Sequence, residues 1–137
     1  MISSARAKQS LEYEFGLRAF TPESTYYLGL SSTNPATSIT EPPSSTNYAR
    51  VAIPNNAESW NEVEEGNYYL TNKRPFNFPV LKQEYDDGVS YWFLATSASG
   101  KDTPPYYGEL TSSRPMPADS QIIVGEGEMQ IYRENPS

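Results

Sequence analysis

The sequence contains no cysteine and no histidine among its 137 residues. Without cysteine there can be no disulfide, no thiolate nucleophile, no iron–sulfur cluster and no cysteine-ligated zinc site. Without histidine the chain lacks the commonest general base and the commonest ligand of transition metals. Any enzymatic reaction would therefore have to use carboxylates, hydroxyls, lysines or bound ions.

Positive charge and long apolar runs are also scarce. The chain has 10 basic and 17 acidic residues, for a net charge of -7, and the basic residues are scattered. This balance argues against a nucleic-acid partner, because phosphate contacts need clustered Lys and Arg. No apolar run approaches the length of a membrane span and the first residues do not resemble a signal peptide, so we expect a soluble protein without a membrane partner.

Aromatic residues are plentiful, with 11 Tyr, 5 Phe and 2 Trp, although only 36% of all residues are hydrophobic. Each aromatic side chain buries a large area, so a small core can be built from few of them. Disordered chains are poor in aromatics, which argues against disorder here. The length predicts one domain over residues 1–137.

One helix is predicted, from Ser3 to Phe15, with Ser3 or Ser4 as its N-cap and Gly16 as its stop. Ala7, Leu11 and Phe15 are spaced four residues apart and form a narrow apolar stripe. A helix this short needs a surface to pack on. That surface is either its own sheet or a neighbouring subunit.

The rest of the chain predicts six to eight short strands, which indicates a mainly β fold, a β-sandwich or a small barrel over residues 25–133. Residues 31–46 are rich in Ser, Thr and Pro and are predicted to form a long exposed loop. Asp86-Asp87-Gly88 is typical of a turn. Residues 112–120 are predicted to be a connection, and residues 55–67 are ambiguous between loop and strand. The predicted strands are Thr25–Ser31, Tyr48–Ile53, Tyr68–Thr71, Phe76–Val80, Val89–Ala95, Tyr106–Leu110, Gln121–Val124 and Glu128–Arg133.

Among the carboxylates, hydroxyls and lysines of the chain, pairs of carboxylates are the catalytic candidates that we consider, because glycoside hydrolysis needs two of them across a sugar ring. The candidate groups are Glu62 with Glu64 and Glu65, Asp86 with Asp87, and Glu126 with Glu128. Acids adjacent in sequence rarely face one another, and these groups also fit a charged loop, a turn and a hairpin exit. None has the spacing of a calcium loop or a phosphate-binding loop. We predict no catalytic residue, no metal site and no cofactor, and keep a carboxylate glycosidase as a rival hypothesis.

Three tyrosine doublets stand on predicted strands: Tyr26-Tyr27, Tyr68-Tyr69 and Tyr106-Tyr107. Successive side chains of a strand point to opposite faces, so one ring of each doublet faces the core and the other faces away. The outward ring either shields a sheet face or contributes to a subunit interface or a glycan platform.

The order of sequence blocks resembles a family of small virion proteins of tailed bacteriophages, usually labelled tail fibre or minor tail proteins. The most specific part is L-G-L-S-x-T at residues 28–33, followed by Glu41-Pro42 and Tyr48-Ala49-Arg50-Val51. The other blocks are Phe20-Thr21-Pro22, Asn77-Phe78-Pro79, Trp92-Phe93 and Tyr107-Gly108-Glu109-Leu110-Thr111.

The resemblance implies a non-enzymatic structural component of the virion that joins tail, baseplate or fibre proteins. Virion proteins commonly assemble in closed symmetric groups, so we expect a homo-oligomer, a trimer or a hexameric ring. The alternatives are an adhesin for a host cell-wall glycan and a head decoration or head fibre protein. We expect Leu11 and Phe15 to dock on a sheet or a neighbour, and Tyr48 and Arg50 to hold the strand after the long loop. The candidate interface residues are Leu11, Phe15, Tyr26, Tyr48, Arg50, Trp60 and Tyr106.

Overall fold

The computed structural model describes residues 1–63, 66 and 69–132. These residues form one helix, a short 3-10 helix and eight strands, which confirms the mainly β fold with an N-terminal helix. The elements are α1 (Ser4–Glu14), β1 (Thr25–Ser31), η1 (Ser44–Thr46), β2 (Val51–Pro54), β3 (Tyr69–Thr71), β4 (Phe76–Asn77), β5 (Tyr85–Ala95), β6 (Tyr106–Met116), β7 (Ile123–Val124) and β8 (Gln130–Tyr132).

The central sheet has four antiparallel strands in the order β2-β1-β5-β6. Two small antiparallel sheets accompany it, one formed by β3 with β8 and the other by β4 with β7. β2 and β6 are the edges of the central sheet, so over the described ranges the strands do not close into the barrel that the sequence left as an alternative.

The main core lies between the central sheet and the two small sheets. Leu28 pairs with Leu94 and Leu30 with Trp92 across β1 and β5, and their side chains share one face because strand side chains alternate. The small sheets contribute Phe76, Met129 and Ile131 to the same cluster. A second, smaller cluster covers the opposite face of the central sheet and consists of Ile39, Phe93, Ala95 and the partly buried Tyr107.

Helix α1 begins and ends where its sequence predicts. The Ser3 hydroxyl accepts a hydrogen bond from the Arg6 amide at 3.2 Å, which is the expected N-cap contact. At the other end Gly16 has a φ of +73°, and the Gly16 and Leu17 amides donate to the carbonyls of Tyr13 and Glu12 at 3.3 and 2.8 Å. These two bonds form a Schellman motif, which favours glycine at this position.

Two predictions about the β5–β6 region are wrong. Asp86-Asp87-Gly88 is not a turn but lies inside β5, where the pairing with β6 is irregular between Tyr85 and Val89. Gly88 has a φ of +67° and therefore accommodates a bulge rather than a chain reversal. Beyond Leu110, β6 continues to Met116 through residues that were predicted to be a connection.

The segment 31–46 is not an exposed loop, because five of its residues are buried: Ser31, Pro35, Ile39, Pro42 and Thr46. The Ser31 hydroxyl organises the start of the segment by accepting hydrogen bonds from the Thr33 and Thr40 amides at 3.1 and 3.0 Å. Ile39 then reaches the small cluster around Phe93. The segment thus covers one face of the central sheet.

Several strands are shorter than predicted. The second strand begins at Val51 instead of Tyr48, and the fourth ends at Asn77 instead of Val80. The ambiguous stretch contains a bend and a turn over residues 55–59 and a single bridge from Trp60 to Asn72. Tyr68 and Arg133, which the sequence placed in strands, lie outside the described residues. No helix in the described part of the chain is long and apolar enough to cross a membrane.

Candidate functional site

Residues 4–22, which we call the N-terminal arm, expose apolar side chains to an unusual degree. Helix α1 buries none of its residues. Leu11 is 58% exposed and Phe15 is 73% exposed, and both belong to the predicted apolar stripe. Leu17 and Phe20, in the segment after the helix, are 78% and 70% exposed. Four large apolar side chains as exposed as these in one short segment indicate a surface that contacts a partner.

The arm is attached to the body at both of its ends. Before it, the Ser3 amide donates to the Pro105 carbonyl at 2.8 Å and Ile2 bridges to Tyr106. Within it, the rings of Tyr13 and Phe20 meet edge to face at 5.4 Å. Behind it, the Glu23 carboxylate lies 3.6 Å from the Arg6 guanidinium, and the Glu23 carbonyl accepts a hydrogen bond from the Asn55 side-chain amide at 2.8 Å. The arm therefore returns on itself, and its apolar stripe faces away from its own sheet.

An aromatic groove of about 550 Å³ lies between the inner face of the arm and the adjacent end of the two-layer body. Two ring pairs organise it: Tyr26 and Tyr106 meet edge to face at 6.3 Å, and Tyr69 and Tyr132 lie 5.4 Å apart across β3 and β8. Among the described residues that line the groove, Arg6 is the charged one and none is Asp or Glu. Its aromatic lining consists of Tyr13, Phe20, Tyr26, Trp60, Tyr69, Tyr106 and Tyr132.

The groove is an environment for neutral polar groups. Burial raises the pKa of Tyr26 further above the neutral range, and its protonated phenol can donate a hydrogen bond. Trp60 is only 8% exposed and packs edge to face on Phe76 at 5.7 Å. Its indole N–H is buried without a hydrogen-bond partner among the described residues. Apolar walls with a few polar groups are typical of ligand and partner sites.

Tyr48 and Arg50 lie in a different cluster, away from the groove lining. The Arg50 guanidinium donates two bonds of 2.9 Å to the Glu41 carboxylate, and the Tyr48 hydroxyl donates to the same carboxylate at 2.7 Å. The Tyr48 oxygen also accepts the Leu30 amide at 3.0 Å. Burial is the main reason that the pKa of Tyr48 is raised well above its ordinary value, with the Glu41 charge adding to the effect.

This cluster holds three parts of the chain together. The Arg50 side chain is 3% exposed, lies over the Phe93 ring at 4.9 Å, and donates to the carbonyls of Ser97 and Gly100. Gly29 is needed beneath Phe93, because a Cβ at Gly29 would lie 2.2 Å from the ring. The L-G-L-S, E-P and Y-A-R-V blocks therefore meet in one network that stabilises the fold.

The candidate carboxylates do not come together as a catalytic pair in the part of the chain that is described. Glu62, Asp86, Asp87 and Glu126 are exposed, and Glu128 accepts the Gly125 amide at 2.9 Å. A hydrogen bond and the charge of Asp86 raise the pKa of Glu84 at the surface. No group of three or more acidic residues that could hold a metal ion occurs in the described ranges. Glu64 and Glu65 lie outside them.

The family of the chain is decided by a match over most of its length. A family model described as Podophage GP4 fiber I protein gp80 matches residues 1–132. The chain belongs to this phage fibre family. The resemblance to tail fibre proteins is thereby confirmed, and the fibre protein is a structural component of the virion. No curated protein matches the sequence.

The seven candidate interface residues of the fibre protein fall into three groups. Leu11 and Phe15 lie on the exposed side of the arm. Tyr26, Trp60 and Tyr106 line the aromatic groove. Tyr48 and Arg50 are buried in the network with Glu41, and with Trp60 they contact their own chain as core residues.

The sequence reasoning missed Leu17 and Phe20 as exposed apolar residues, and Tyr13, Tyr69 and Tyr132 as groove residues. Leu17 and Phe20 have a signal in the sequence, since large apolar residues in a loop between a helix and a strand have no core of their own. The tyrosines have none, because Tyr13 reaches the groove only when the arm folds back and Tyr69 meets Tyr132 only when β3 pairs with β8.

The structure describes both residues of two tyrosine doublets, Tyr26-Tyr27 and Tyr106-Tyr107. Both rings of Tyr106-Tyr107 are packed against other side chains. Tyr106 lies against the main core cluster while Tyr107 lies against the small cluster around Phe93. Tyr26 likewise contacts the main cluster. The outward ring of Tyr107 thus shields a sheet face, as one of the two alternatives for these doublets predicted.

Proposed function

We propose that the fibre protein joins another virion protein through the exposed side of its N-terminal arm. The observation that carries this proposal is a helix that buries none of its own side chains and still presents Leu11 and Phe15, followed by Leu17 and Phe20. Burying a large apolar side chain contributes about 1.5–3 kcal/mol. A partner that covers the arm therefore gains the free energy of burying these side chains, which the isolated fold does not gain.

The tail, baseplate or fibre is the proposed location of that partner, with the head as the alternative. The placement of the described carboxylates supports a structural role rather than a catalytic one, because they are scattered and none of them lines the groove. Copy number separates the locations: a multiple of three or six, recovered with tail proteins after gentle disruption of virions, supports the tail. Recovery with the head shell alone would contradict it.

The double substitution Leu11→Ser with Phe15→Ser tests the role of the arm. Virions produced with this variant should contain at least about tenfold less of the protein by quantitative mass spectrometry, because the substitutions remove the apolar contact. Val80→Ser is the matched control, since Val80 is 46% exposed and lies outside the arm. Both purified variants should melt within a few degrees of wild type, as expected for exposed positions. Wild-type incorporation of the arm variant would contradict the proposal.

A second function, binding of a host cell-wall glycan, is supported by the aromatic groove. Tyrosine rings offer apolar faces to a sugar while their hydroxyls and the Asn55 amide offer hydrogen bonds. Tyr106→Ala should weaken binding of the purified protein to host polysaccharide about tenfold or more, whereas Tyr107→Ala on the opposite face should not. Release of reducing ends would instead support the glycosidase, and absence of wild-type binding would exclude the glycan role.

A further inference from the structure

A second opening in the two-layer body lies between the central sheet and the strands β7 and β8. It is a cleft of about 410 Å³ whose floor is apolar and whose charged lining residues are Glu109 and Glu128, both exposed. Ile123, which also lines the cleft, is 52% exposed. The remaining lining is mostly apolar and comprises Leu28, Leu30, Trp92, Leu110, Ile122, Val124 and Met129 with Gln130.

We propose that this acidic cleft receives the N-terminal arm of a second copy of the chain, so that the fibre protein assembles head to tail. The inference rests on the proposed function, because it names the partner of the arm. Each copy has one arm and one cleft. A contact between two different surfaces gives a closed ring when the rotation between copies closes.

The sizes of the two surfaces match. A dry apolar cavity of about 150 Å³ accommodates a benzene molecule. A cleft of about 410 Å³ therefore has room for two large apolar side chains. Leu11 and Phe15 are four residues apart and lie side by side on one face of a helix, so they can enter together.

The charges of the two surfaces also match. Residues 1–22 contain three basic residues, Arg6, Lys8 and Arg18, and two acidic residues, so this part carries a charge of +1. Since the whole chain carries -7, the remaining residues carry -8. Within its own copy Arg6 pairs with Glu23 and Arg18 with Glu12. The exposed Lys8, three residues before Leu11 on the helix, is therefore the basic side chain that meets the cleft, where Glu109 and Glu128 stand.

The arm is available for such a contact. Its inner residues Arg6, Ser10 and Tyr13 line the aromatic groove of its own copy, and the contacts of Ile2 and Ser3 with residues 105 and 106 hold it there. The side that carries Leu11 and Phe15 is left exposed. The same helix can therefore contact its own body and a neighbour at once.

The test is a mixing experiment with two variants, each of which disables one of the two surfaces. Leu11→Ser with Phe15→Ser removes the arm contact and keeps the cleft. Ile123→Arg fills the cleft and keeps the arm, at an exposed position where folding should be unaffected. Val80→Arg is the matched control for an arginine at an exposed apolar position. Circular dichroism checks that each variant is folded.

Analytical ultracentrifugation of the purified proteins gives the result. Wild type and the Val80→Arg control should sediment as oligomers, and each disabled variant alone as a monomer. An equimolar mixture of the two variants should form a dimer and stop there, because only one functional arm and one functional cleft remain. Glu109→Lys should weaken the wild-type association about tenfold at low salt, with Glu126→Lys, outside the cleft, as its control.

The outcomes separate this inference from the proposed function. A monomeric wild type, variants that stay oligomeric, or a mixture that stays monomeric would each overturn the arm-in-cleft contact. If that happened while the arm variant was still missing from virions, the arm would bind a different virion protein and the proposed function would stand. If the arm variant also entered virions normally, both would fail.

Discussion

Gly29 has the closest steric constraint among the described residues of the central sheet. The Phe93 ring lies over it, and three ring carbons would be within 2.7 Å of an added Cβ. Gly29→Ala should lower the free energy of unfolding by about 1–3 kcal/mol in chemical denaturation, because Phe93 is fully buried and cannot move aside. In a Phe93→Leu background the same change should cost less. Equal costs in the two backgrounds would show that the ring is not the cause.

Tyr48 should make stability sensitive to alkaline pH. Its pKa is raised in the folded chain above the ordinary value of 10.0, so the folded state keeps the proton at a pH where the unfolded state releases it. The stability that Tyr48 contributes is therefore complete below pH 10 and declines as the pH rises above it.

Tyr48→Phe tests this dependence. At neutral pH the variant should be less stable by about 1–3 kcal/mol, because it loses the bonds to Glu41 and Leu30. That difference, measured by denaturation at a series of pH values, should shrink above pH 10. A difference that stays constant across that range would contradict the assignment.

At the scale of single residues, the sequence blocks that resemble a family also have a structural role. The L-G-L-S, E-P and Y-A-R-V blocks carry the sequence resemblance to tail fibre proteins. In the structure they meet through contacts among Gly29, Glu41, Tyr48, Arg50 and Phe93. Residues up to 64 positions apart in the chain meet there, because the Phe93 ring lies over the backbone of Gly29. Local patterns cannot show such meetings.

Elements were predictable from the sequence where their signals are local. The N-cap at Ser3, the stop at Gly16 and the bounds of β1 all follow from short-range rules of capping and strand formation. The bulge at Gly88 was mistaken for a turn because Asp-Gly favours both, and only pairing with β6 distinguishes them. The burial of Ile39 in a segment rich in Ser and Thr depends on a sheet face formed by distant residues.

The arm is the element whose sequence left two alternatives, its own sheet or a neighbour. The structure uses the first for the inner residues, including Tyr13, and leaves the apolar stripe exposed. A hydrophobic pattern identifies a stripe but not what covers it. The candidate groove was even harder to predict from the sequence, because its rings come from α1, β1, β3, β6 and β8 and from Phe20 and Trp60.

The whole molecule combines a well-packed two-layer body with an arm that has little packing of its own. The body is held by the core between its sheets and by the Glu41–Tyr48–Arg50 network, and the arm presents the largest exposed apolar side chains, Phe15, Leu17 and Phe20. The lack of cysteine and histidine fits this division, since neither holding a fold nor covering an apolar surface needs them. Assembly in a virion would then cover the apolar side chains that the single chain leaves exposed.

Hydroxyl-radical footprinting of the fibre protein in intact virions tests that account most directly, because it reports the exposure of individual side chains. The control position Val80, which lies outside the arm, should be oxidised to the same extent in the virion and in the dilute purified wild-type protein. Leu11, Phe15, Leu17 and Phe20 should be oxidised about tenfold less in the virion than in the dilute purified wild-type protein. Equal oxidation of these four residues in the virion and in the free protein would contradict a role of the arm in assembly.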